Sequence, residues 1–161
     1  MDDHKGLALA LEEAKKGYEE GGIPIGAALV SADGTVLGRG HNMRVQNGNP
    51  ILHGETSCLQ NAGRLPSSAY QGSTMYTTLS PCDMCTGACL LYSISRVVIG
   101  ENKTFLGGEA YLKQRGVEVV VLDSSECREL MEKFISEKPE VWNEDIGVKE
   151  RVYSKESVQR N

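Results

Sequence analysis

The chain has 161 residues, 40% of them apolar, and a formal net charge of −5. This length suits one domain with its own hydrophobic core and is too short for two comfortable domains. No run approaches the roughly 20 apolar residues of a membrane-spanning helix, and the start Met1–Lys5 lacks the basic and apolar segments of a signal peptide. We therefore expect a soluble protein of the cytoplasm, with the nucleus as a second location.

The N-terminal part predicts a helix followed by a β-hairpin. Apolar residues recur every three or four positions over Asp2–Glu20, which is the helix period, and Gly21-Gly22 is a typical helix end. Two short apolar runs follow, at Pro24–Val30 and Thr35–His41. The turn residues Ala32-Asp33-Gly34 between them predict two antiparallel strands.

Helices and strands alternate along the rest of the chain. After an irregular loop over Asn42–Leu52, the predicted elements are a helix over His53–Ala62, a strand over Thr74–Leu79, a helix over Cys82–Ser93, a strand over Arg96–Gly100, a helix over Gly108–Arg115, a buried strand of the parallel type over Val117–Leu122 and a helix over Ser124–Glu137 that ends before Pro139. This alternation predicts an α/β fold, a three-layer α/β/α sandwich around a mostly parallel mixed sheet of about five strands.

The last fourteen residues, Val148–Asn161, form a polar tail with four Lys or Arg and two Glu. We expect one domain over residues 1–147 and a disordered tail, with a flap over the site or a dimer contact as alternatives. Residues 1–147 carry a charge of −7. Nucleic-acid binding normally relies on basic patches, so this charge argues against a nucleic-acid partner, although it leaves an RNA substrate open.

Two segments carry the chemistry, His53-Gly54-Glu55 and Pro81-Cys82-Asp83-Met84-Cys85. Both lie at predicted helix starts, where unpaired N–H groups and the helix dipole lower the pKa of a thiol. His53, Cys82 and Cys85 together predict a zinc site with three protein ligands. Such a site keeps a fourth position open for water, as catalytic zinc does, whereas structural zinc usually takes four protein ligands.

Counting charges gives Glu55 a role. Two thiolates and a neutral histidine cancel the charge of Zn²⁺, so the ion acidifies its water less than a three-histidine site would. A nearby carboxylate must therefore help to take the proton. The resulting hydroxide would attack an amidine-like carbon, and Glu55 would pass protons to the ring nitrogen and the departing amine. This arrangement is typical of hydrolytic base deamination.

The remaining cysteines favour a structural interpretation. Cys58, Cys89 and Cys127 lie in helical patterns and are expected to be small buried hydrophobic residues. Cys89 lies about one helical turn beyond Cys85, away from a metal at the helix tip, so we do not count it as a ligand. A structural zinc or a redox Cys-x-x-Cys is the alternative interpretation of the motif.

Several segments resemble yeast-type (fungal) cytosine deaminase, a family of the wider cytidine and deoxycytidylate deaminase superfamily. The resemblance covers nearly the whole chain up to Gly147. The segments are Gly21-Gly22-Ile23-Pro24-Ile25-Gly26, Leu37-Gly38-Arg39-Gly40-His41-Asn42, Leu52-His53-Gly54-Glu55, Thr77-Thr78-Leu79-Ser80-Pro81-Cys82-Asp83-Met84-Cys85-Thr86-Gly87-Ala88 and Trp142-Asn143-Glu144-Asp145-Ile146-Gly147. The Asn42 segment and the ending after Trp142 are the more specific ones.

The resemblance implies a homodimeric zinc hydrolase of pyrimidine salvage that converts free cytosine to uracil and ammonia on a cytidine deaminase-like fold. It implies one Zn²⁺ per subunit, held by His53, Cys82 and Cys85 with water or hydroxide as fourth ligand, and Glu55 as proton shuttle during attack on C4 of the base. The implied substrate contacts are Asn42 and the Gly54 N–H to the carbonyl oxygen, the Ser80 carbonyl and Asp145 near the amine, and Phe105 and Trp142 as apolar walls.

Other interpretations remain open at this point. A guanine, other purine or tRNA-adenosine deaminase would share Pro-Cys-x-x-Cys, and a zinc-stabilised binding module without activity would not need Glu55. Asn42 is by itself also a common turn residue, and a lone tryptophan such as Trp142 is often part of a core or an interface. The run Leu90-Leu91-Tyr92 fits either a dimer contact or the core.

Overall fold

The structure is a computed structural model, which describes residues 1–149. Most of the tail predicted over Val148–Asn161 therefore lies outside the described residues, together with its predicted disorder, flap or dimer contact. Within the described part, no helix combines the length and the apolar character that crossing a membrane requires.

One mixed sheet forms the centre of the molecule. Its strands are β1 (Gly26–Val30), β2 (Val36–His41), β3 (Thr74–Leu79), β4 (Arg96–Glu101) and β5 (Glu118–Val121), in the spatial order β2-β1-β3-β4-β5. Strand β1 pairs antiparallel with β2 and β3, whereas β3–β4 and β4–β5 are parallel pairs. Four strands therefore point the same way and β1 alone runs against them, which confirms the predicted mostly parallel mixed sheet.

Helices connect these strands. They are α1 (Asp3–Glu19), α2 (Arg44–Asn47), α3 (Gly54–Ala62), α4 (Asp83–Leu91), α5 (Glu109–Gln114), α6 (Ser125–Glu137) and α7 (Pro139–Asp145), with a 3-10 turn at Ser67–Tyr70. The long helices begin and end within a few residues of the predicted positions because their caps are local signals. At the start of α1, for example, the Asp2 carboxylate accepts a hydrogen bond of 2.9 Å from the Lys5 N–H.

The helices cover both faces of the sheet, which confirms the three layers. On one face Met75 of β3 shares a buried cluster with residues of α3, α4 and α5, such as Leu112. The next residue, Tyr76, points to the opposite face and shares a cluster with Leu7 of α1 and a residue of α6. Helix α1 lies close to the sheet at Gly6, because glycine has no side chain there. A Cβ at this position would lie 2.2 Å from the Tyr76 ring.

The prediction of a fully buried strand over Val117–Leu122 was wrong in one respect. Strand β5 is exposed at Glu118 and only partly buried at the following three residues. The reason is its position at the edge of the sheet, beside β4 alone. An apolar run indicates a strand, but it does not indicate whether both faces and both edges are covered.

Two short helices were missed. Helix α2 lies within the predicted irregular loop and ends at Gly48, whose φ of 58° is the left-handed conformation that favours glycine. Pro139 ends α6 as predicted, but it also occupies the first turn of α7. Proline is tolerated there because the first N–H groups of a helix have no partner within the helix.

The loops that carry the predicted site residues gather at one end of the strands, which is the edge formed by the carboxyl ends of β3 and β4. Strands β3 and β4 end at this edge, and the antiparallel register of β1 and β2 places Gly26 opposite His41 there. Asn42 follows β2 directly, and α4 begins four residues after Leu79 of β3. Ligand crevices in α/β sheets form at this edge.

Candidate metal centre and substrate pocket

The two motif segments lie at helix starts, as predicted. His53 is the N-cap of α3 and Cys82 the N-cap of α4, and both residues have an extended backbone. The His53 N–H donates to the Thr56 hydroxyl at 2.9 Å, while the Cys82 carbonyl accepts from the Thr86 N–H at 2.8 Å. These local bonds fix both N-cap residues at the start of their helices.

The side chains of His53, Cys82 and Cys85 converge. One ligand atom from each lies within 4.8 Å of the others. The Cys82 Sγ is 3.4 Å from the His53 Nδ1, and a tetrahedral zinc with bonds of roughly 2.0 Å to nitrogen and 2.3 Å to sulfur separates such atoms by about 3.5 Å. The donor set and its spacing fit one zinc ion per subunit.

Hydrogen bonds within the cluster set the protonation states of its three side chains. The hydrogen bond from the Cys85 thiol lowers the pKa of Cys82, and the same bond raises the pKa of Cys85. Burial opposes a charge on His53, but hydrogen bonds to Asp145 and Cys82 raise its pKa to about 10. Zinc binds thiolate and neutral imidazole, so binding of the ion releases protons from this cluster.

Glu55 lies beside the cluster and is 3% exposed. Burial, followed by the charge of Cys82, raises the pKa of Glu55 to about 7. A carboxyl group with a pKa near neutrality can accept and donate a proton with similar ease. Its burial and position distinguish Glu55 from an ordinary acidic residue in a first helical turn, which would be solvated.

The remaining three cysteines are buried, as predicted. Burial raises the pKa values of Cys58, Cys89 and Cys127, so these residues stay protonated thiols. None of them belongs to the metal-ligating cluster among the described residues.

Asp145, which the family resemblance placed near the amine of the base, also contacts His53, and no sequence pattern predicted that contact. Its Oδ1 lies 3.2 Å from the His53 Nε2 and 3.6 Å from an Arg44 guanidinium nitrogen. Its Oδ2 accepts a hydrogen bond of 3.2 Å from the Asn42 side chain. Because His53 faces Cys82 with Nδ1 and Asp145 with Nε2, the carboxylate holds the proton on Nε2 and leaves Nδ1 free as a ligand.

A pocket of about 290 Å³ opens beside this cluster. The lining residues are Ile25, His53, Glu55, Leu79, Ser80, Cys82, Phe105, Trp142, Asp145 and Ile146. The rings of Phe105 and Trp142 meet edge to face, with their centroids 6.0 Å apart.

The structure places the predicted site residues in two groups. Most of them line the pocket directly, while Cys85 lies in the metal cluster behind it and Gly54 lies against Ile25, at the start of α3. Asn42 is fully buried and uses its oxygen for a turn hydrogen bond from the Arg44 N–H. Its amide nitrogen carries two hydrogens, and Asp145 takes one of them. The predicted contacts of these residues with the base stay predictions.

Sequence reasoning missed Arg44 and the aliphatic lining residues Ile25, Leu79 and Ile146. Ile25 and Ile146 lie in segments that carry the family resemblance, but an isoleucine has no chemical signature that separates pocket from core. Arg44 bonds to Glu144 at 3.1 Å and faces Asp145. Its position two residues after Asn42 was the one available signal.

Known proteins share both the motif and the fold. Residues 1–101 match the profile of the cytidine and deoxycytidylate deaminase zinc-binding region. The chain is 63% identical to the cytosine deaminase of Candida albicans over 147 residues, which is 91% of this chain and 98% of that protein. It is 41% identical to the tRNA-specific adenosine deaminase of Bacillus subtilis over 92 residues, 56% of either chain.

A solved structure from work on A-to-I editing by tRNA:A34 deaminases at the wobble position of transfer RNA superposes with a TM-score of 0.67 at 30% identity. That match covers 79% of this chain and 99% of the other. The resemblance therefore extends from the zinc motif to the path of the backbone.

Proposed function

The chain belongs to the cytidine and deoxycytidylate deaminase family, and from that premise we propose that it is a zinc-dependent cytosine deaminase, which hydrolyses free cytosine to uracil and ammonia. The observation that carries this proposal is the buried Glu55 beside the convergent His53, Cys82 and Cys85 in a small pocket. A structural zinc site has no use for a buried, unligated carboxylate next to it. The high identity to a fungal cytosine deaminase over nearly the whole chain supports the choice of substrate.

The metal site and Glu55 have different roles in the proposed reaction. When bound, a zinc ion supplies the Lewis acidity that makes a water molecule a better nucleophile. Glu55 accepts a proton from this water, delivers a proton to the ring nitrogen of cytosine and assists the departure of the amine from C4. Water is added and ammonia leaves, so the carboxyl group ends the cycle in the state in which it began.

The pocket walls favour a free base. Phe105 and Trp142 form an apolar corner suited to the faces of a planar ring. Asp145 places a polar group in the same pocket, where its carboxylate still has lone pairs beyond its contacts to His53 and Asn42. The net charge of −7 over residues 1–147 also favours a neutral base over a polyanion.

A substrate panel tests the proposal. We expect ammonia release from cytosine, and release at least about tenfold slower from cytidine, adenine, guanine and a tRNA anticodon hairpin, because the apolar corner selects a small ring. The measurement is coupled ammonia detection at equal substrate concentrations on the zinc-loaded protein. Turnover of guanine or the hairpin without turnover of cytosine would replace the proposed substrate with the corresponding alternative.

We also propose that the protein is a homodimer and that α4 contributes to the contact. The helix exposes an apolar stripe at Met84, Gly87, Ala88 and Leu91, residues that share one face at helical spacing. Leu91 is 73% exposed, whereas Leu90 packs against the core. An exposed apolar stripe of this kind is typical of a protein contact.

Replacing Leu91 with Asp is expected to dissociate the dimer, because a charge would be buried in an apolar contact. Sedimentation velocity should give a wild-type mass of twice 17.5 kDa and a variant mass of 17.5 kDa. Tyr111→Asp is the matched control, since Tyr111 is 48% exposed but lies on α5. A monomeric wild-type protein, or a dimeric Leu91 variant, would contradict the assigned contact.

A further inference from the structure

The segment 102–108, which joins β4 to α5 and carries Phe105, lies between two buried carboxylates. Glu101 is the last residue of β4 and is fully buried, and Glu109 is the first residue of α5 and is 8% exposed. Burial of a carboxylate is unfavourable unless hydrogen-bond donors surround it. Neither residue belongs to the metal-ligating cluster or lines the pocket, so their burial calls for another explanation.

Glu101 holds the first half of the segment. Its carboxylate accepts from the Lys103 N–H at 2.7 Å and from the Thr104 N–H at 3.0 Å. The Thr104 hydroxyl also donates to it. These bonds fix the backbone immediately before Phe105.

Glu109 holds the second half through Ser80. Its Oε2 accepts from the Ser80 hydroxyl at 2.7 Å, and its Oε1 accepts from the Asn102 side chain at 3.1 Å. The Ser80 oxygen in turn accepts from the Gly107 N–H at 2.9 Å. The carboxylate of Glu109 thus orients the hydroxyl that holds the segment two residues after Phe105.

The same segment lies directly against the residues before the zinc ligand Cys82. The Gly108 N–H donates to the Pro81 carbonyl at 2.9 Å. A Cβ at Gly107 would lie 1.8 Å from that carbonyl oxygen, so any larger residue at this position would push the segment outward. This close approach leaves the Phe105 ring in edge-to-face contact with Trp142 at the pocket wall.

We propose that Glu109 is a positioning residue that acts through Ser80 and Gly107 to hold Phe105 as a wall of the pocket, and that this wall sets the discrimination between a free base and a nucleoside. The inference rests on the proposed function. A charge at the start of α5 would interact favourably with the helix dipole from an exposed position as well. The burial of Glu109 and its bond to Ser80 are explained by the wall and not by the dipole.

The test compares Glu109→Ala with wild type, with Glu109→Gln as the conservative variant and Glu126→Ala as the matched control. Glu126 is also an acidic residue in a first helical turn, but it is exposed. For Glu109→Ala we expect a KM for cytosine about tenfold higher, with kcat within about twofold, because the loss affects binding geometry and spares Glu55. Relative turnover of cytidine should rise by about tenfold.

Glu109→Gln should retain most of the wild-type behaviour, since its amide oxygen still accepts from Ser80 and the Asn102 amide can turn to present its oxygen. Phe105→Ala should reproduce the Glu109→Ala result. The double variant should add little to either single change, because both remove the same wall. Zinc content should match wild type in all of them.

The sole tryptophan provides a readout that is independent of activity. Trp142 is 1% exposed, so acrylamide should quench its fluorescence more strongly in Glu109→Ala and Ser80→Ala than in wild type. A lower melting temperature with unchanged KM, base preference and quenching would overturn the inference. If wild type fails to deaminate cytosine, the proposed function fails, while the quenching comparison still decides whether Glu109 holds the wall.

Discussion

Replacing Glu55 with Gln is expected to lower kcat for cytosine deamination by between about 10² and 10⁴-fold, the range over which a positioned acid–base group contributes. The amide has the size of the carboxyl group but neither accepts nor delivers a proton at neutral pH. Glu55 is buried beside the metal cluster and is not one of its three ligands. Zinc content, measured by atomic absorption, should therefore remain at one ion per subunit.

Two controls separate chemistry from folding in this experiment. The exposed carboxylate of Glu126 allows a matched Glu126→Gln change, which should leave kcat unchanged. The far-ultraviolet circular dichroism of the Glu55 variant should match that of wild type. Retained turnover in a variant with full zinc content would show that another group moves the proton, and the mechanism above would have to be abandoned.

Replacing Asp145 with Asn is expected to have the second largest effect, a loss of about 10 to 100-fold in zinc affinity or in kcat/KM, the range typical of partners of a metal-bound histidine. The carboxylate accepts from the Asn42 amide and faces the His53 Nε2. An asparagine presents one amide NH₂ group to these two donors, so one of them loses its acceptor. His53 would then be less firmly held with Nδ1 toward Cys82.

Glu144 offers a matched control for this change. It is the neighbouring carboxylate and pairs with Arg44 at 3.1 Å, but its side chain is 65% exposed. An exposed ion pair contributes little, so Glu144→Gln should stay within about twofold of wild type. Competition with a chromophoric chelator measures zinc affinity, and steady-state kinetics on cytosine measures kcat/KM. If the Asp145 and Glu144 variants had equal zinc affinity and equal kcat/KM, the conclusion that Asp145 orients His53 would be wrong.

The two predictions differ in how far the sequence alone leads to them. Glu55 follows from its spacing to His53 and from the charges of the ligand set that the two motifs contain, and both can be read from the residue types alone. The orienting role of Asp145 follows only from the folded structure, because 92 residues separate it from His53. The family resemblance predicted that Asp145 lies near the base. The contact with His53 indicates that Asp145 also orients this zinc ligand.

The fold shows the same division. Helix starts at His53 and Cys82 were predicted because a cap depends on a few neighbouring residues and backbone angles. The exposure of β5 was not predicted, and neither was the helix that begins at Pro139. An edge position depends on which strand lies alongside, and a proline both ends one helix and begins another.

The sequence by itself determined the candidate zinc ligands and the carboxylate beside them, because His53 with Glu55 and Cys82 with Cys85 form two short motifs whose residue types and spacing are typical of this chemistry. That the two motifs, 29 residues apart, meet at one point depended on the fold. The sequence also determined the order of the strands and of the longer helices, from which the three layers follow. Only the tertiary structure decided which distant side chains complete the site, namely Asp145 against His53 and Glu109 against Ser80. Those contacts depend on how the layers pack and on where each loop leaves the sheet. Neither the packing nor the loop positions can be predicted from the spacing of residues along the chain.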